Sequence, residues 1–303
     1  FFSKPNPPSA LLSGLVGSEM CIRDSCISCC NLMENKKMEE LRPMDSKRVV
    51  VVTGGGSGIG RATARKFSAA GEHVVIADIN ESSGYRVVDE IKSANGDAEY
   101  VSVDVANDQS VAAMANEVND RHGHIDVLVN CAGILQNISK AEDMDLEEHD
   151  RVWAVNYRGT YLCCQSIGTI MSKQTQPGSI VNISSTSAAR AFPLVAYGPG
   201  KAAIDQLTAI LSADLGPSDV RVNAVMPGYV LTEQMQARID AGHRDPAKMN
   251  AQSAIGRMIL PSEIADAIYF LCSDDARAIN GVVLPIDGGW LPYVTYIQHP
   301  GWS

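Results

Sequence analysis

No stretch of the 303-residue chain approaches 18 consecutive apolar residues, so no transmembrane helix is read in it. Positive charge is also scarce: 25 Lys and Arg stand against 35 Asp and Glu, a formal net charge of −10 with no basic run to offset it. A nucleic-acid or anionic-membrane partner would need a basic surface, so neither is expected. Cysteine itself is not rare, but paired spacing is. Cys21, Cys26, Cys29 and Cys30 crowd the N-terminus, while Cys131, Cys163, Cys164 and Cys272 are scattered through apolar segments, as buried free thiols are. That distribution points to a reducing compartment, the cytoplasm, and no group of residues is read as a metal site.

Residues 1–45 have neither helical nor strand period and are expected to be disordered or artefactual. Within them Leu15 to Ser25, LVGSEMCIRDS, resembles the translation of a transposase-type sequencing-library adapter joined to a transcript. Phe1 to Ser25 is then expected to be foreign to the natural protein, with the start at Met33, Met38 or Met44. The Cys26-x-x-Cys29-Cys30 cluster falls in the same stretch.

Structure is expected from residue 46 onward. Arg48 to Val52 is a charge followed by four valines, the composition of a strand buried on both faces. It runs into Thr53-Gly54-Gly55-Gly56-Ser57-Gly58-Ile59-Gly60 and then into helical spacing from Arg61 to Ala70. Strand, glycine turn and helix make a phosphate-binding unit, because glycines admit a pyrophosphate and a helix N-terminus offers free N–H groups. The next strand, Val74 to Ala77, ends at Asp78, 18 residues after Gly60. An acidic group there suits a ribose 2′-hydroxyl and repels a 2′-phosphate, and neither Ser57 nor Ile79 supplies a basic group against it. NAD is therefore expected in preference to NADP; the plainer alternative is an aspartate that caps a turn.

Strands and helices keep alternating: Ser83 to Ser93 helical, Tyr100 to Val103 a strand, Asp108 to His122 helical, Ile125 to Val129 a strand. The repeat predicts an α/β fold, a doubly wound, mostly parallel sheet whose ligands bind at the carboxyl ends of the strands. Asp104 and the run Asn130-Cys131-Ala132-Gly133 fall at such ends. Leu146 to Gly159 reads as one long helix carrying Asn156, either a structural hydrogen-bonder or a group that holds water. Ser179 to Ile183 is a strand ending at Ser184-Ser185, and Val220 to Val225 another, ending at Pro227-Gly228. Tyr197 and Lys201 are four apart on a helix starting at Tyr197, so they share a face. A phenol has a pKa of about 10, and an ammonium one turn away would lower it. By itself such a pair is as readily a chance feature of an exposed helix.

Together these residues resemble the short-chain dehydrogenase/reductase family in its single-domain form. The resemblance rests on Thr53-Gly54-x-x-x-Gly58-x-Gly60, Asp104, Asn130-x-Ala132-Gly133, Asn156, Ser185, Tyr197-x-x-x-Lys201, Asn223, Pro227-Gly228, Thr232 and Asp287-Gly288-Gly289. It implies a seven-stranded Rossmann fold over residues 46–289 and an NAD-dependent oxidoreductase interconverting a secondary alcohol and a ketone. Tyr197 would be the acid/base, Lys201 its modulator and a ribose ligand, Ser185 the group holding the substrate oxygen, and Asn156 the anchor of a water. Cofactor contacts implied are Gly54, Ser57, Gly58, Ile59, Gly60, Asp78, Asp104, Val105, Asn130, Ala132, Gly133, Tyr197, Lys201, Pro227, Gly228, Val230 and Thr232. The serine lies 12 residues before Tyr197 rather than the usual 13, so Ser184 competes with Ser185.

A 3-oxoacyl-thioester reductase and a catalytically silent NAD-binding regulator are the alternatives. Residues 229–260, with scattered methionines, read as an apolar lid or as an ordinary surface helix pair. The aromatic tail, residues 290–303, is expected at a subunit interface of a homotetramer or homodimer.

Overall fold

The computed structural model describes residues 47–298. The expectations for Phe1 to Ser25, for the cysteines up to Cys30, for the three candidate start methionines and for Trp302 lie outside those residues. Strand β1, Val49–Thr53, is buried throughout, with Val50, Val51 and Val52 wholly enclosed. Each such valine contributes roughly 1.5–3 kcal/mol, and only helices on both faces of the sheet make that possible. Val49 and Val51 pack with Met114 and Ile167 on one face. Val50 and Val52 pack with Phe67, Ile264 and Ile268 on the other.

After β1 come helix α1, Gly58–Ala69, strand β2, His73–Asp78, and helix α2, Glu81–Ser93. Strand β3, Asp97–Ser102, helix α3, Asp108–His122, and strand β4, Val127–Asn130, complete the nucleotide half. β3 starts three residues before the expected Tyr100, because it is an edge strand. Its Asp97 and Glu99 are polar and half-buried while pairing with His73 and Val75 of β2, so an apolar cluster does not mark its beginning.

The second half supplies β5, Gly178–Ile183, β6, Val220–Pro227, and β7, Val283–Ile286. All seven strands are parallel in the order β3-β2-β1-β4-β5-β6-β7, the doubly wound sheet expected. The order turns between β1 and β4, where Thr53 pairs with Asn130. Connections leave those two strand ends in opposite directions and open a crevice between them.

The helix expected over Leu146 to Gly159 is interrupted. It is α-helical as α4, Leu146–Trp153, widens into a π-helical turn over Ala154–Arg158, and resumes as α5, Gly159–Met171. Short helix α6, Thr186–Ala189, precedes α7, Tyr197–Leu215. Residues 229–260 contain two short helices, α8, Glu233–Asp240, and α9, Pro246–Ala251, followed by α10, Pro261–Leu271. The start of the aromatic tail is helix α11, Trp290–Ile297. Trp290 does not wait for a neighbouring subunit: it is buried in its own chain, stacked on Phe192 with centroids 5.4 Å apart and edge-on to Tyr229 at 6.2 Å. Among the described residues no helix is long and apolar enough to cross a membrane.

Candidate active site

The glycine turn joins β1 to α1 under tight steric limits. Gly54 has φ +63°, and a Cβ there would lie 2.7 Å from the Ala132 Cα. A Cβ on Gly60 would lie 2.1 Å from the Gly54 carbonyl oxygen. Both positions therefore require glycine, and the turn is held against the loop after β4. α1 starts at Gly58, so its first N–H groups point out of the helix end toward the crevice, as an anion requires.

A cavity of about 560 Å³ opens there. It takes in Gly54, Ser57, Gly58, Ile59 and Gly60 from the turn, Asp78, Asp104, Val105, Ala132 and Gly133 at strand ends, and Thr232. A glycine cradle at a helix N-terminus with a carboxylate at the far end fits a dinucleotide. Ile134, Leu135, Arg151, Val155, Glu233 and Gln234 also line it and carry no sequence signal of their own.

Asn130, expected at the cofactor, is buried behind the cavity, its amide donating to Asn182 Oδ1 at 2.8 Å and Cys164 Sγ at 3.2 Å. It knits β4 to β5. Gly228 donates to the Ile286 carbonyl at 3.1 Å, and Val230 bridges to Ile259. With Pro227 at the end of β6 they set the chain's course out of the sheet.

Asp78 accepts from the Gly56 N–H and the Asn80 N–H, both at 2.9 Å. Its carboxylate is thus tied to the glycine turn while it lines the cavity. The sequence shows no basic group beside it, but the fold brings one: Arg86 Nη2 donates to the Gly56 carbonyl at 3.2 Å.

A second carboxylate sits on the N-terminal end of α1. Glu233 accepts from the Gly58 N–H at 3.2 Å and from Arg61 Nη1 at 2.9 Å. An incoming pyrophosphate competes with it for the same helix-end donors. Glu233→Gln should therefore tighten dinucleotide binding roughly two- to fivefold, the scale of one charge at a helix terminus. Titration calorimetry measures this, and weaker binding in the variant would show that the carboxylate assists instead.

The catalytic candidates gather at the same sheet edge. Asn156 lies in the π-helical turn, 1% exposed, and both ends of its amide are used: Oδ1 accepts from Ile134 N–H at 2.8 Å and Nδ2 donates to the Ile134 carbonyl at 2.9 Å. Its carbonyl accepts from Thr160 Oγ1 at 2.7 Å. The side chain thus pins the loop after Gly133. Of the two serines, Ser184 is buried, and among the described residues its hydroxyl makes no hydrogen bond. Ser185 caps α6, accepting from the Ser187 N–H at 3.2 Å and the Ser187 hydroxyl at 3.0 Å.

Tyr197 opens α7, and Lys201 follows one turn on. Lys201 Nζ donates to the Ile183 carbonyl at 2.6 Å and lies 5.5 Å from the Tyr197 ring centroid. Burial brings the Lys201 ammonium down to about 8. The Tyr197 phenol is pushed up, not down as the sequence suggests: burial raises it, and its hydrogen bond with Ser185 works the other way. The ammonium is committed to the Ile183 carbonyl.

Gln136 had no part in the sequence-based site. It is 1% exposed, and its Oε1 accepts from the backbone N–H groups of Ala196 at 2.8 Å and Tyr197 at 3.0 Å. Ala196 has no side chain that could cap α7, so a glutamine 61 residues away does so. This anchor holds Tyr197 in front of Gly198-Pro199-Gly200.

The family model described as enoyl-(acyl carrier protein) reductase matches residues 54–291, from the glycine turn to the start of α11. The chain belongs to the short-chain dehydrogenase/reductase family. D-threitol dehydrogenase of Mycolicibacterium smegmatis is 36% identical, over 80% of this chain and 92% of that one. The structure of a short-chain type dehydrogenase/reductase from Mycobacterium ulcerans is 30% identical with a TM-score of 0.77, covering 81% of this chain and 90% of that one. The structure of ElxO with NADP bound is 31% identical with a TM-score of 0.78, covering 82% and 100%. As a short-chain dehydrogenase/reductase the protein is an oxidoreductase of a family that uses a nicotinamide cofactor, and its relatives include alcohol dehydrogenases.

Proposed function

We propose that the protein is an NAD-dependent dehydrogenase that interconverts a secondary alcohol and its ketone, with Tyr197 as acid/base. The meeting of Tyr197, Ser185 and Lys201 at the strand edge beside a cavity ending in Asp78 supports this most directly. The bound nicotinamide supplies the hydride chemistry. Tyr197 takes the alcohol proton at its phenolic oxygen, or returns it to the ketone. Ser185, whose hydroxyl adjoins that phenol, donates a hydrogen bond to the reacting oxygen. Lys201 offers a second ammonium hydrogen to the cofactor ribose and favours the phenolate as substrate enters. Asn156 holds the loop that floors the site, and Thr232, which caps α8 through the Met235 N–H at 3.2 Å, would hold the carboxamide of a bound nicotinamide. Asp78 accepts from the ribose hydroxyls of NAD. A homotetramer or homodimer in the cytoplasm is part of the proposal on family grounds.

The alternative, a 3-oxoacyl-thioester reductase, is weaker, since Asp78 disfavours NADPH and a net charge of −10 suits no acidic carrier. A panel of polyols, cyclic alcohols and linear secondary alcohols, each with NAD+ and NADP+ and followed by nicotinamide absorbance, is the test. At least one alcohol should be oxidised, with kcat/KM about tenfold or more in favour of NAD+. Turnover confined to 3-oxoacyl thioesters with NADPH would refute the proposal.

A further inference from the structure

At the opposite, amino-terminal edge of the sheet three side chains converge that no spacing in the sequence announces. His73 opens β2, Glu99 lies in β3 and His122 closes α3. Glu99 Oε1 is 2.9 Å from His122 Nε2 and 3.7 Å from His73 Nε2. The three potential ligand atoms all lie within 4.8 Å of one another, and the imidazole centroids are 4.5 Å apart. A tetrahedral ion with bonds of about 2.0–2.2 Å needs little more than ring rotation to meet all three.

Two details are not explained by an ion pair alone. His73 Nδ1 is 3.1 Å from Asp97 Oδ1, a contact that orients the ring with Nε2 toward Glu99 and His122. That Nε2 is buried, and Glu99 Oε1 at 3.7 Å stands just beyond hydrogen-bond reach, so among the described residues it makes no hydrogen bond. A carboxylate behind a histidine whose other nitrogen is left open is the outer shell of a metal-binding imidazole. Glu99 Oε2 accepts from Arg121 Nη1 at 2.8 Å, which leaves Oε1 for the ion. Lys47 holds Asp97 at 2.9 Å, and Arg121 is also paired with Glu117.

We propose that His73, Glu99 and His122 bind a zinc ion. Two imidazoles and one carboxylate suit zinc and not the oxygen-seeking magnesium or calcium. The ion would clamp β2, β3 and α3 together. His73 and Asp78 are five residues apart on one strand, about 16 Å at the usual rise, so the site is separate from the dinucleotide cavity.

The full-length protein, treated with chelator and then titrated with zinc chloride, should take up a single equivalent at micromolar concentration at this site, and its thermal midpoint should rise. Because Cys26, Cys29 and Cys30 also belong to the chain, cobalt chloride should be used in parallel. It should give d–d absorption that His122→Ala abolishes and that contains no thiolate charge-transfer component. Asp97→Asn, which keeps all three ligands, should weaken zinc binding about 10–100-fold. Zinc affinity unchanged in both His122→Ala and Glu99→Gln, uptake only at millimolar zinc, or a purely thiolate spectrum would overturn the assignment. His122 lies at the end of a helix, so its variant carries the test even where His73→Ala fails to fold.

Discussion

Tyr197→Phe should lower kcat/KM for the alcohol about 10²–10⁴-fold, the range of a positioned acid/base, while NADH affinity stays within about twofold. The substitution removes one oxygen and leaves the rest of the phenyl ring in place. It does not touch the features that hold α7, since Gln136 binds the backbone N–H groups of residues 196 and 197, not the phenol. Binding and chemistry should therefore separate. Fluorescence titration with NADH gives the first and steady-state kinetics the second. Loss of both together would show that the phenol is structural and would remove Tyr197 from its proposed role.

Asp78→Ser should shift the ratio of kcat/KM for NAD+ over NADP+ by about 10–100-fold toward NADP+. Two unit charges 4 Å apart at an effective dielectric of 20 repel by about 4 kcal/mol, and screening at a half-open cleft leaves about half of that or less. Removing the carboxylate lifts the repulsion and also takes hydrogen bonds from the NAD ribose. Arg86, already on the Gly56 carbonyl, supplies a positive charge beside the same turn. Kinetics with both cofactors on one substrate measures the ratio. If it stays constant, Asp78 serves only its hydrogen bonds to Gly56 and Asn80.

Much of the fold is legible in the chain because its determinants are local. Four valines before a glycine turn state a buried parallel strand, and Tyr197 with Lys201 states a shared helix face. What was hidden is set by tertiary placement. Gln136 has no periodic signature, yet it becomes the cap of α7 because the loop after β4 passes the helix start. Glu233 and Arg86 become neighbours of the glycine turn only when α8 and α2 fold onto it. The split between Ser184 and Ser185 turns on one residue of phase at the end of β5. The direction of the Tyr197 shift depends on burial, which spacing does not report. The edge strand β3 began earlier than its apolar residues suggest because one of its faces is polar.

The π-helical turn over Ala154–Arg158 also bears on how this protein can change in length. A turn that closes from i to i+5 holds one residue more than an α-helical turn. Because the extra residue is taken up within the turn itself, deleting one residue there would restore an unbroken α-helix from Leu146 to Met171 with its flanking segments in nearly the same phase. A deletion within α4 or α5 would instead turn the segments on either side by about 100° relative to one another. The wide turn is thus a place where this helix can change length without rotating its faces, and what a deletion there would disturb is the hold of Asn156 on Ile134.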